Sequence, residues 1–250
     1  MDKIIYLSPH LDDAVLSCGA IIWEQVHSEK KNVEIWTVFA ADPPQTELST
    51  FADEIHVRWQ TGSEGPALRR SEDEQACARL GSKAFHLSFP DCIYRSLPNG
   101  SGARITTNDD LFSFDPQKDQ PLVQEVTQYL AGNLPKDCDL IVPLGVGNHI
   151  DHQIVCLAAE ALHRSLFYYA DFPYAGYLPD QVKEKTFGIM EPLYHPPDQI
   201  GLRAWQEAVA DYWSQISTFW PSLEEMKTAL QDYSKSEQGS ILWRQLHAIA

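Results

Sequence analysis

The chain has 250 residues, 44% hydrophobic and 22% charged, with a formal net charge of −16. That length buries a full core, and the surplus of carboxylates excludes nucleic acid and anionic membrane as partners, because neutralising phosphates takes a basic surface. No apolar run approaches the roughly 20 residues of a membrane span. With no leader pattern at its start and five scattered cysteines without a CxxC pair, the chain reads as soluble and cytoplasmic, its thiols reduced.

In chain order, Ile4-Ile5-Tyr6-Leu7 reads as a buried strand, and residues 14 to about 30 as a helix with Val15, Leu16, Ala20, Ile21, Trp23 and Val26 against the sheet. Residues 33–40 form a second strand, and a strand, helix, strand run of this length predicts a right-handed parallel crossover. Residues 41–66 read as a long irregular loop of the kind that serves as a lid or binding loop. A helix over 68–80, stopped by Gly81, leads to a strand over 85–89, with Asp91 just beyond it. Residues 100–121 are a turn-rich insertion with room for a small hairpin. Helix 122–134, strand 139–144, helix 153–164 and strand 166–170 follow, then a strand over 186–192. From about 201 the chain is mostly helical, over 201–218 and 222–233, divided at Pro221. The alternation predicts one domain over 1–250, a three-layer α/β/α sandwich with a Rossmann-like, mostly parallel sheet.

Two clusters carry the chemistry. Ser8-Pro9-His10-Leu11-Asp12-Asp13 follows the first strand, and Asn148-His149-Ile150-Asp151-His152 follows the strand over 139–144. Open α/β sheets place ligands at such strand ends. His10 and Asp13, joined by His152, offer two imidazoles and one carboxylate with a coordination position left open, the catalytic arrangement for zinc. Such an ion suits hydrolysis of an amide or ester. Asp12 is placed to act as general base. His149 is placed to stabilise an oxyanion or to protonate a leaving nitrogen. Asp151 is a partner that would fix the tautomer of one histidine. Iron and manganese accept the same donors. Read separately, the first cluster is equally a helix cap and the second a polar loop.

These motifs resemble the PIG-L/LmbE-like family of zinc-dependent de-N-acetylases. Pro9-His10-Leu11-Asp12-Asp13 is similar to the family's (A/S)HPDD and His149-Ile150-Asp151-His152 to its HPDH. Arg69-Arg70-Ser71-Glu72, Pro90-Asp91 and Tyr212-Trp213-Ser214-Gln215 lend support. The resemblance implies zinc on His10, Asp13 and His152, Asp12 as base, and Arg69 or Arg70 with Asp91 near the substrate. It implies removal of acetyl from an N-acetylglucosamine-type sugar within a small-molecule conjugate, and leaves a homo-oligomer open. Leu11 and Ile150 replace the prolines of both motifs, Ala14 stands where many members carry Glu, and Gly147 where some place Tyr. A non-catalytic sugar-binding or regulatory protein of the same fold is the alternative, and a nucleotide-binding module is disfavoured, because the first strand-to-helix turn lacks G-x-G-x-x-G.

Overall fold

A computed structural model describes residues 2–45, 48–59, 65–97 and 99–246. Its seven strands form one sheet in the order β3-β2-β1-β4-β5-β7-β6. They are β1 Lys3–Ser8, β2 Asn32–Thr37, β3 Lys83–His86, β4 Cys138–Pro143, β5 Phe167–Tyr169, β6 Met190–Tyr194 and β7 Ile241–Gln245. β3 to β5 run parallel, and β7 is antiparallel to both neighbours. The helices are α1 Asp13–His27, α2 Thr50–Trp59, α3 Gly65–Leu80, α4 Pro116–Asn133, α5 Ile150–Glu160, α6 Tyr174–Tyr177, α7 Pro179–Thr186, α8 Gln199–Ala210, α9 Trp213–Phe219 and α10 Leu223–Ser234. The architecture is the mostly parallel α/β/α sandwich that the alternation predicts.

The order of strands places the site. β1 is central, with β2 on one side and β4 on the other. The chain leaves β1 for β2 and returns across the sheet to β4, so the direction of winding reverses between β1 and β4. The register Lys3↔Cys138 to Tyr6↔Ile141 aligns their carboxyl ends, bringing the two clusters side by side at the switch point. β1 is Ile-Ile-Tyr-Leu with every one of these side chains buried, as a strand covered on both faces requires. α1 lies under it, and α8 packs closely on α1: a Cβ on Gly19 would fall 2.2 Å from Trp205 Cδ1, and Trp205 Nε1 donates to Val15 O at 2.7 Å.

Five local expectations need correction. Residues 41–66 include α2, whose buried Phe51, Ala52, Ile55, His56 and Trp59 recur at helical spacing. In the 100–121 insertion, Ser96 and Ala103 form an antiparallel bridge, and α4 begins at Pro116, where Asp115 caps it and proline suits a first turn. The helix expected over 201–218 breaks at Asp211-Tyr212 into α8 and α9. Thr186 ends α7, so the strand expected over 186–192 begins at Met190. β7, in a stretch with no expected strand, inserts between β5 and β6.

Candidate functional site

The turn from β1 into α1 is closed by its own side chains. Ser8 Oγ donates to His10 O at 2.6 Å and accepts from Ala14 N at 3.1 Å, and Asp13 Oδ2 accepts from His10 N at 2.8 Å. Asp13 opens α1, where the helix dipole favours a carboxylate. Its Oδ2 lies 3.2 Å from His10 Nδ1 and 3.3 Å from His152 Nε2, so the two clusters meet on one oxygen.

Each of these imidazoles is fixed from behind. His10 Nε2 is 3.0 Å from Asp151 Oδ2, and His152 Nδ1 is 2.6 Å from Asp171 Oδ1. Asp151 is itself held by the Arg95 guanidinium and by Cys92 N–H at 3.1 Å, and Asp171 by Val146 N–H at 2.8 Å. A ligand nitrogen forward and a carboxylate behind is the pattern that orients histidines for a metal. The donor set of His10, Asp13 and His152 therefore fits zinc. Ring nitrogens of His10, His149 and His152 also lie within 4.8 Å of one another, as do donors of His10, Asp91 and Asp151. His149 Nδ1, however, accepts from Asp151 N–H at 3.3 Å as the cap of α5, and Asp151 is already neutralised by Arg95.

Charge on these groups follows from that packing. Against the burial that would lower it, Asp13 and Asp171 hold His152 up to about 10. His10 is likewise raised, its hydrogen bonds to Asp13 and Asp151 outweighing burial. A cation held by these nitrogens would take the place of those protons. Burial pushes the Asp12 carboxyl up to about 6, with Arg69 opposing and Asp13 adding to the rise. His149 is held well below the ordinary imidazole value, first by burial and then by His10 and His152, so its ring is neutral. Because Nδ1 accepts the backbone N–H, the proton sits on Nε2.

His10, Asp12, Asp13, His149 and His152 form the floor of a cleft of about 240 Å³ that also takes in Arg69 and Asp91. Arg69 is buried, stacks 4.5 Å from the Trp59 ring centre and points Nη2 at Asp12 Oδ2, 3.4 Å away. Arg70 points away from the cleft, to Ala40 O at 2.9 Å and Asp42 Oδ1 at 2.5 Å, which corrects its expected place beside the substrate. Asp91 caps the turn Cys92–Tyr94 through Ile93 N–H at 3.1 Å while Oδ2 lies 3.9 Å from His10 Nε2.

Sequence reasoning missed Asp171 and Arg95. Asp171 follows the end of β5 as Asp91 follows β3, and that shared position was the available signal. Tyr174 reaches the cleft beside Gly147, its Cγ 2.6 Å from where a Cβ on Gly147 would stand. One turn further along the same face of α3, Glu72 accepts from Ser214 N at 2.9 Å and Ser214 Oγ at 2.6 Å, and Asp73 accepts from Tyr212 OH at 2.7 Å, which fixes α9 and with it Gln215 at the cleft.

Residues 5–163 match the PIG-L family model, described as GlcNAc-PI de-N-acetylase. The chain is 29% identical over 192 residues to a 2'-N-acetylparomamine deacetylase of Niallia circulans, spanning 68% of this chain and 66% of that relative's length. It is similar to the structure of the zinc-inhibited form of teicoplanin deacetylase Orf2, with a TM-score of 0.80, 25% identity and 99% of each chain covered. A deacetylase–teicoplanin complex matches with a TM-score of 0.80 and 25% identity over 99% of this chain and 100% of the other.

Proposed function

This chain belongs to the PIG-L family, and on that premise we propose that it is a zinc-dependent hydrolase that removes the acetyl group of an N-acetylglucosamine-type sugar within a larger conjugate. The observation that carries the reading is the meeting of His10 and His152 on Asp13 Oδ2, with Asp12 next in the chain. The relatives that are deacetylases support the reaction class.

His10, Asp13 and His152 would hold the ion, which supplies Lewis acidity toward water and toward an amide carbonyl. Asp12 takes the proton of the attacking water. Burial keeps its carboxyl near 6, so it is ionised at neutral pH yet basic enough to accept. Arg69 beside it restrains that rise and fixes the carboxylate. His149, neutral with its proton on Nε2, donates toward the oxygen that becomes negative or toward the departing nitrogen. Asp151 and Asp171 hold His10 and His152 in orientation, and Asp91 with Arg69 meets sugar hydroxyls.

The test is acetate release from N-acetylglucosamine conjugates by zinc-loaded wild type and Asp12→Asn. General-base catalysis is worth about 10²–10⁴ in rate, so the variant is expected to lose at least a hundredfold in kcat while binding zinc normally. Near-normal turnover by Asp12→Asn would remove Asp12 from its role; absence of acetate from any conjugate would leave the sugar-binding reading.

A further inference from the structure

The walls of the cleft differ in kind from its floor. Ile55 and Trp59 of α2, Leu111 and Phe112 of the short turn Asp109–Phe112, Tyr174 of α6 and Phe219 of α9 form an apolar collar above the carboxylates and imidazoles. Four separate segments contribute, and two lie in the stretches 41–66 and 100–121 that depart from the regular alternation.

Phe112 is the telling member. Its ring meets His149 edge to face at 5.8 Å and 90°, and Tyr174 at 6.1 Å and 83°, yet 42% of its surface is exposed. The turn that presents it is built firmly. The Asp110 carboxylate accepts from Thr106 N at 2.8 Å, Thr106 Oγ1 at 2.8 Å and Thr107 N at 2.9 Å. Behind it, buried Arg104 grips Asp119 of α4 through two bonds of 3.2 and 3.0 Å and donates to Ser113 O at 2.7 Å. An aromatic face held open to solvent beside a polar centre gains free energy when an apolar ring or chain covers it.

We propose that Phe112 and the collar select conjugates in which the amino sugar carries an apolar aglycone, with the sugar on the floor and the aglycone against Phe112. The inference rests on the deacetylase reading and names the substrate class within it. A ring or chain seated there is fixed relative to the acetamido group, so the collar acts through binding, and its effect falls on KM.

The experiment compares methyl, octyl and 4-nitrophenyl glycosides of N-acetylglucosamine with zinc-loaded wild type, Phe112→Ala and Phe112→Tyr, by acetate release and by calorimetric binding to the zinc-free proteins. Wild type is expected to favour an apolar glycoside over the methyl one by at least tenfold in kcat/KM and to bind it correspondingly tighter. The octyl and aryl arms decide whether chain or ring is preferred. Phe112→Ala is expected to bring the ratio near one through KM, and Phe112→Tyr to restore it. Equal treatment of the three glycosides by wild type, or a preference unchanged in Phe112→Ala, overturns the proposal while leaving the deacetylase reading intact. No acetate from any arm counts against the deacetylase reading, and the binding ratios then decide the proposal by themselves.

Discussion

His152 Nδ1 lies 2.6 Å from Asp171 Oδ1, and both side chains are almost fully buried. The carboxylate holds a ring proton on Nδ1, so Nε2, which faces Asp13, is the nitrogen that would give up its proton to an ion. One residue, beyond the end of a three-residue strand, thereby sets which nitrogen of His152 can bind an ion.

Asp171→Asn tests that coupling. The other oxygen of Asp171 accepts from Val146 N–H at 2.8 Å. An amide must either turn its nitrogen to Val146, leaving a buried N–H unpaired, or turn it to His152 and force the wrong tautomer. Loss of a partner of this kind costs about 10–100-fold in metal affinity. Chelator competition is expected to show zinc binding weakened by about that factor, with the far-ultraviolet circular dichroism of wild type.

Arg95 is tied to the site at one remove. Its guanidinium lies over the Phe39 ring, 5.0 Å from the centre, and pairs with the buried carboxylate of Asp151 that steadies His10. Breaking a buried pair from one side costs about 3–5 kcal/mol, because the remaining charge is stranded. Arg95→Ala is expected to lower the free energy of unfolding by about that amount in urea titration. A loss below about 1 kcal/mol, the size typical of a surface pair, would mean that Asp151 finds another partner.

Gly147 has φ +85°, and an added Cβ would approach Tyr174 Cγ to 2.6 Å. A side chain in a left-handed conformation costs about 1–3 kcal/mol, and Tyr174 must move as well. Gly147→Ala is expected to be destabilised by at least that much in thermal melts, with KM raised. Gly100→Ala is the control: its φ is +69° and nothing lies within 4 Å of an added Cβ, so only the backbone cost remains.

The parts of this fold that could be read in the sequence are those whose signal is local. Ile4 to Leu7 is a run of apolar residues, and His10 to Asp13 shows its carboxylates within four positions, so the strand end and its chemistry are legible together. His149 to Asp151 to His152 is legible for the same reason. Asp171 is not, because its meaning comes from His152, 19 residues away in sequence, and from the packing of β5 beside β4. Arg95 depends on Asp151 in the same way, across 56 positions. α2 does have helical periodicity, in Phe51, Ile55 and Trp59, but prolines and glycines on either side mask it. β7 is a short stretch whose place between β5 and β6 is fixed by pairing partners far back in the chain.

The most direct measurement is anomalous scattering at the zinc edge from crystals of the zinc-loaded protein. One peak is expected per chain, bounded by His10, Asp13 and His152, and lost in His152→Ala. A peak elsewhere, or His10 and His152 turned away from a common ion, would contradict the account.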